Sequence, residues 1–170
     1  LPPGPDTIGQ LCVRGSVVIK GYLNRPDATA EAMTSEGFLR TGDIGYMDAD
    51  GFVYIVDRTK DMILCSGYNV YPRTIEEAIY EFPGVEEVSV IGVTDAYRGQ
   101  APKAFIKLKT GAEAFSFETL QDFLASRLGK HERLQSMEIR PELPKTPVGK
   151  LSKKELYEEE RQKQAAAASA

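Results

Sequence analysis

From residue 61 onward, short β-rich runs alternate with short helical ones, and that order constrains the fold more than any other feature. DMILCS (61–66) reads as a strand and SGYNVYP (66–72) as a turn; Pro72 then opens a helix through TIEEAIYEF, where its missing N–H costs nothing. Pro83-Gly84 stops that helix. VEEVSVIGV (85–93) has strong β propensity, TDAYRGQ is a loop, and PKAFIKLK (102–109) alternates as a strand. SFETLQDFLASRL (116–128) is an amphipathic helix with Leu120, Phe123, Leu124 and Leu128 on its apolar face, and Ser116 with Glu118 or Thr119 supplies cap chemistry. MEIRPEL is a last short strand, and another helix begins at about Ser152. The order β-α-β-β-α-β-α predicts an α+β unit, a small sheet with packed helices.

The preceding stretch reads differently. GQLCVRGSVVIKGY (9–22) suggests two short strands about a turn, and NRPDATAEAM a short helix capped by Asp27 or Thr29. EGFLRTGDIGYMDADGFVYIVDR has the alternation of a hairpin about an Asp-Gly turn. Too few apolar positions are present to close a core. Residues 1–57 are therefore expected to be the last, β-rich strands of a preceding domain, 58–60 a connector, 61–160 a second domain, and 161–170 a frayed low-complexity tail. The opening LPPGPDTIGQLCVRG, without methionine, runs from prolines straight into a strand, so a piece of a longer protein is expected.

Charge and composition narrow the chemistry. The net charge is −4 and the basic residues are scattered, which argues against nucleic acid as a partner. No apolar run approaches bilayer-spanning length, so no transmembrane segment is expected. Cys12 and Cys65 lack metal-type spacing and are expected to be buried, reduced thiols of a cytoplasmic protein. A single histidine, His131, leaves little for a histidine triad or a multi-histidine metal site.

Four stretches could carry chemistry. In TGD (41–43) a glycine turns the backbone and presents Asp43 on a loop, where its carboxylate could accept both hydroxyls of a vicinal diol; alone, the tripeptide is an ordinary turn. DRTKDMI (57–63) is either an exposed interdomain connector or a polar hairpin. SGYNVYP holds Gly67, either a plain loop glycine or one admitting a ligand against the backbone. In LPKTPVGK (143–150), Pro144, Pro147 and Gly149 stiffen a loop that ends on Lys150, either a solvated lysine before a basic helix or a point charge delivered to phosphate and carboxylate oxygens.

Together, in this order, these stretches with GYLNRPDAT, IEEAI and PGVEEVSVIGV resemble the C-terminal part of the adenylate-forming superfamily, over nearly all of residues 8–157. GYNVYP with IEEAI is most similar to medium- and long-chain fatty acyl-CoA ligases. The resemblance implies two half-reactions. A carboxylate attacks the α-phosphate of ATP, giving acyl-adenylate and pyrophosphate; coenzyme A then takes the acyl group and AMP leaves. It implies that Asp43 binds the ribose hydroxyls, Arg58 assists at ribose or phosphates, Lys60 is the hinge of a domain rotation, and Lys150 bridges carboxylate and α-phosphate. It also implies that Ser66, Gly67 and Tyr68 line the pantetheine channel.

Magnesium is expected with ATP, held by ligands outside this chain. The implied partners are the chain's own N-terminal domain, a carboxylic, fatty-type acid, and a protein lysine acetyltransferase acting on Lys150. Alone, this polypeptide is expected to be inactive. Leu64, Asn69 and Gln100 depart from common family residues at their positions, and KHERLQSMEI lacks a proline often found before the last strand. Two other readings stay open on the residues alone: an adenylation domain loading a carrier protein, and a stand-alone interaction module with the same fold.

Overall fold

The computed structural model describes residue 4 and residues 7–168. Most of the proline-rich opening and the last two tail residues therefore lie outside the described residues. The backbone divides after Lys60 into two compact units.

The first unit is an antiparallel sheet in the order β1 (Gly9–Val13), β2 (Leu39–Met47), β3 (Val53–Arg58), with helix α1 (Pro26–Ala32) between the first two strands. The turn before β3 forms as its sequence dictates: Asp48 Oδ1 accepts hydrogen bonds from the N–H groups of Asp50 and Phe52 at 3.0 and 2.9 Å. Residues 14–22, expected to contain a second strand, form none; Val17 and Ile19 point to solvent with no neighbouring strand to pair with. Helix α1 starts from Arg25 without a side-chain cap, because Asp27 pairs with Arg25 instead and the Thr29 hydroxyl donates back to the Arg25 carbonyl. Among the described residues of this unit Ile44 is the one fully buried large apolar side chain, whereas Met47, Phe52, Val53, Tyr54 and Ile55 are exposed. Cys12 is exposed as well, contrary to expectation, because it lies on an edge strand of a small sheet that buries few side chains; Cys65 is buried.

The second unit has the expected mixed α+β architecture with one more strand than its sequence suggested. Strands β4 (Ile63–Cys65), β5 (Tyr68–Val70), β6 (Val85–Asp95) and β7 (Gly99–Leu108) lie in the order β5-β4-β7-β6, and β8 (Ser136–Ile139) runs parallel to β7. Helices α2 (Pro72–Tyr80), α3 (Phe117–Leu124) and α4 (Lys153–Ala168) complete it, with a 3-10 turn at Lys130–Glu132. The extra strand, β5, hides inside the stretch read as a turn. Ser66 and Gly67 take φ of +52° and +82°, so two residues suffice to reverse the chain and pair Cys65 with Tyr68. Helix α3 starts as expected, with Ser116 Oγ accepting from the Thr119 N–H at 3.2 Å, but stops at Leu124. Helix α4 runs on through the segment expected to fray, since its alanines have the highest helix propensity of any residue.

Alternation along β6 and β7 gives the sheet two apolar faces. Val88, Val90, Ala104 and Ile106 face one way and pack with Ile63, Cys65, Ile75, Ile79 and Leu120. Ile91, Val93 and Phe105 face the other way, under Leu143, Leu151, Leu156 and Tyr157. The β4–β5 hairpin is thus rooted on one face and the segment around residue 150 on the other.

A partly buried charge lattice fastens α4 to that second face. Lys103 on β7 pairs with Glu138 and Glu160 at 3.3 and 2.9 Å; Arg140 pairs with Glu138 and Glu159 at 2.8 and 2.6 Å. Burial raises the Glu138 carboxyl, but hydrogen bonds from Arg140, Lys163 and Lys103 overcome that and hold it at about 2. A carboxyl depressed on folding stabilises the fold above its unfolded value near 4.5 and loses that contribution as pH falls toward about 2. Thermal melts between pH 5 and 2 (roughly the span of that titration) are therefore expected to fall more steeply for the unsubstituted chain than for Glu138→Gln. Parallel slopes would contradict the assignment.

Candidate functional site

In the first unit, the β2–β3 register places Asp43 directly opposite Arg58. Arg58 Nε donates to Asp43 Oδ1 at 3.2 Å, and the two side chains are 55% and 29% exposed. Asp43 lies within β2 and not on a loop, as its sequence had suggested, because Gly42 at φ +80° lets the strand kink without ending. Two supports went unread in the sequence. Thr41 Oγ1 accepts from the Asp43 N–H at 3.0 Å and donates to the Leu11 carbonyl at 2.9 Å. Asp57 is buried and accepts from the Arg58 N–H at 2.7 Å. An exposed ion pair of this kind contributes only ~0–1 kcal/mol, so its value lies in presenting a carboxylate and a guanidinium side by side. Lys60 is exposed in the turn that follows, at the boundary of the two units.

In the second unit, Ser66, Gly67 and Tyr68 share the β4–β5 hairpin and all are exposed. A Cβ on Gly67 would meet no atom within 4 Å, so what demands glycine locally is its positive φ. Tyr68 stacks on His131, ring centroids 4.8 Å apart and 16° from parallel, a contact between residues too distant in sequence to be foreseen. Of the departures noted above, Leu64 and Asn69 point to solvent, while Gln100 Oε1 accepts from the Leu64 N–H at 2.9 Å and ties β4 to β7.

Lys150 ends a small closed loop. Lys145 bridges Leu151 in antiparallel fashion. The Thr146 N–H donates to the Lys150 carbonyl at 2.7 Å, and the Lys150 N–H to Thr146 Oγ1 at 3.2 Å. The Gly149 N–H donates to the Thr146 carbonyl at 2.8 Å, with Gly149 at φ +80°. The Lys150 side chain is exposed and makes no ion pair among the described residues. Asp43 and Arg58 are thus brought together, as are Ser66, Gly67 and Tyr68, whereas Lys150 stands on its own loop, rooted on the face opposite to the hairpin's. Among the described residues no cluster of three or more His, Cys, Asp or Glu side chains could hold a metal, and no helix is long and apolar enough to cross a membrane.

The family model of the AMP-binding enzyme C-terminal domain matches residues 74–150, ending on that lysine. The chain carries the C-terminal domain of the AMP-binding, adenylate-forming enzymes. It is 50% identical to a long-chain-fatty-acid–CoA ligase of Bacillus subtilis (strain 168) over 156 residues, 92% of this chain and 28% of the relative. It is 45% identical over 163 residues to the ligase of that name from Escherichia coli O6:H1, covering 96% of this chain and 28% of the relative. Among solved structures, ATP-bound MatB from Rhodopseudomonas palustris superposes with a TM-score of 0.86 at 35% identity, over 93% of this chain and 31% of that one. The chain therefore spans about 28% of the length of these curated relatives. The family-matched part includes most of α2, the sheet from β6 to β8 and the lysine loop, while the Asp43–Arg58 pair and the β4–β5 hairpin precede it.

Proposed function

We propose that this chain supplies the mobile lid and the catalytic lysine of an ATP-dependent, AMP-forming acyl-CoA ligase acting on a carboxylic acid of the fatty type. The observation that carries this reading is the Lys150 loop: the three hydrogen bonds within it, and a fourth from the Ser152 N–H to the Pro144 carbonyl at 2.8 Å across its base, fix a backbone that presents an unpaired ammonium to solvent. Attack of a carboxylate on the α-phosphate of ATP brings like charges together, and at 4 Å two unit charges repel by about 4 kcal/mol at an effective dielectric of about 20. An ammonium bridging them removes that repulsion and stabilises the charge that develops in the transition state.

Asp43 and Arg58, held side by side, bind the ribose hydroxyls and assist at the phosphates. ATP and coenzyme A are substrates, and magnesium accompanies ATP on ligands outside this chain. The hairpin with Ser66, Gly67 and Tyr68 borders the pantetheine channel in the second half-reaction. That hairpin forms one edge of the sheet while the lysine loop packs over one of its faces, two separate surfaces of the unit, which suits a cleft that meets them in turn. A torsion change at Lys60 supplies the alternation. The exposed apolar residues of β3 suit burial against a preceding domain of the same protein, and two free cysteines suit the cytoplasm. A lysine acetyltransferase acting on Lys150 would silence the first step by removing its charge.

The test is a pyrophosphate-release screen of carboxylic acids with the full-length parent. Medium- or long-chain fatty acids are expected to release pyrophosphate and, with coenzyme A, to yield AMP and acyl-CoA, whereas the 170-residue chain alone releases none. Pyrophosphate release by the isolated chain, or a parent that converts ATP to ADP, would overturn the reading.

A further inference from the structure

The two legs of the Lys150 loop are each held by an ion pair, one to strand β6 and one to helix α2. On the incoming leg, Lys145 Nζ lies 2.6 Å from Glu87 Oε1, on β6, with the side chains 37% and 20% exposed. Glu87 Oε2 is buried without a hydrogen-bond partner, so this carboxylate depends on Lys145 for its compensation. On the outgoing leg, Lys153 Nζ lies 2.9 Å from Glu76 Oε1, with the side chains 21% and 17% exposed. Glu76 comes from α2 on the other face and reaches round the open edge of β6, where the same oxygen accepts the Val90 N–H at 2.8 Å. Tyr80 serves the next open N–H in the same way, its hydroxyl accepting from Val88 at 3.3 Å. The protection of an edge strand is thereby joined to the fixing of the loop.

We propose that Glu76 and Glu87 are positioning residues for Lys150: one carboxylate from α2 and one from β6 grip the lysines on the two legs of its loop and leave the Lys150 ammonium unpaired at the loop's end. Burial and charge both favour this. A surface ion pair is nearly neutral in energy, but a carboxylate that is four-fifths covered makes displacement of its lysine costly, so the legs stay in one place. Pairing also engages the charges of Lys145 and Lys153, whereas the Lys150 ammonium has no ion-pair partner among the described residues and is open to an incoming anion. Leu143 and Leu156, both buried, hold the same legs by apolar contact. The carboxylates add what apolar contact lacks, which is direction.

This inference rests on the role proposed for Lys150. In the full-length parent, Glu76→Gln and Glu87→Gln keep size and shape and remove charge. Each is expected to slow acid-dependent ATP–pyrophosphate exchange by about 10- to 100-fold in kcat, with the KM for ATP and thioester formation from supplied acyl-adenylate changed by less than about twofold. A role in folding alone would depress both half-reactions together, and that result would overturn the proposal. The exchanged pair Glu87→Lys with Lys145→Glu is expected to regain pyrophosphate exchange over Glu87→Lys alone, and no regain would count against the clamp. Amide hydrogen exchange reads the loop without the chemistry: the Gly149, Lys150 and Ser152 amides should exchange faster in either glutamine variant, and unchanged rates would also overturn it. Lys150→Ala in the same assays separates the two ideas. If it abolishes pyrophosphate exchange while both glutamine variants behave as the unsubstituted enzyme, the clamp alone falls; if it leaves exchange intact, the role of Lys150 falls and the clamp with it.

Discussion

Replacing Lys150 by alanine in the full-length parent is expected to slow adenylate formation by about 10²- to 10³-fold while thioester formation from supplied acyl-adenylate persists. The asymmetry follows from where charge develops. In the first half-reaction a carboxylate approaches a polyphosphate, and in the proposed role the ammonium stabilises that approach more than it does the separated reactants. In the second, a thiol attacks a carbonyl already activated by its adenylate, and in the proposed alternation the face that carries Lys150 is turned away from it. Acetylation of the same nitrogen removes the same charge and should reproduce the effect, with mass-spectrometric mapping confirming the modified position. Equal loss of both half-reactions would point to a damaged fold instead of a missing charge.

The second large effect is on stability. Phe105→Ala is expected to destabilise the second unit by about 3–5 kcal/mol in urea or thermal unfolding. Phe105 is fully buried at the centre of the face that receives Leu143, Leu151 and Leu156. Its ring also lies beneath Arg140 and Lys103, at 4.6 and 5.0 Å from the centroid, so the cations of the α4 lattice pack on it. Truncation leaves a cavity under the lysine loop and removes a platform for the charges that hold α4. A loss below about 1 kcal/mol would mean that the face collapses to fill the gap and that the loop is anchored elsewhere.

Much of this was legible in the sequence for physical reasons that can be named. Pro72 at a helix start with Ile75 and Ile79 on one face dictates α2, and the β propensity of 85–93 with the alternation of 102–109 dictates the long antiparallel pair, whose strands run on to Asp95 and from Gly99 into the stretch read as a loop. Strand β5 was not legible, because it is three residues long and exists only through positive φ at Ser66, a residue that seldom adopts it. The apolar run at 16–19 reads as a strand by composition, yet a strand needs a partner and none is adjacent. At the site, the residues of the family motifs identify themselves by type and order, while what supports them does not. Thr41 behind Asp43 is a local contact that depends on the kink at Gly42, while His131 against Tyr68 and the glutamates that meet Lys145 and Lys153 are brought in by tertiary structure from distant positions. Exposure of Cys12 is of the same kind, since it depends on what covers β1.

An adenosine polyphosphate carrying a pyridoxal aldehyde at its phosphate end tests most directly whether Lys150 reaches a bound nucleotide. Incubated with the full-length parent, reduced with borohydride and mapped by peptide mass spectrometry, it should label Lys150, and excess ATP should suppress that labelling. Stoichiometric, ATP-protected labelling of another lysine, with Lys150 unmodified, would contradict the account.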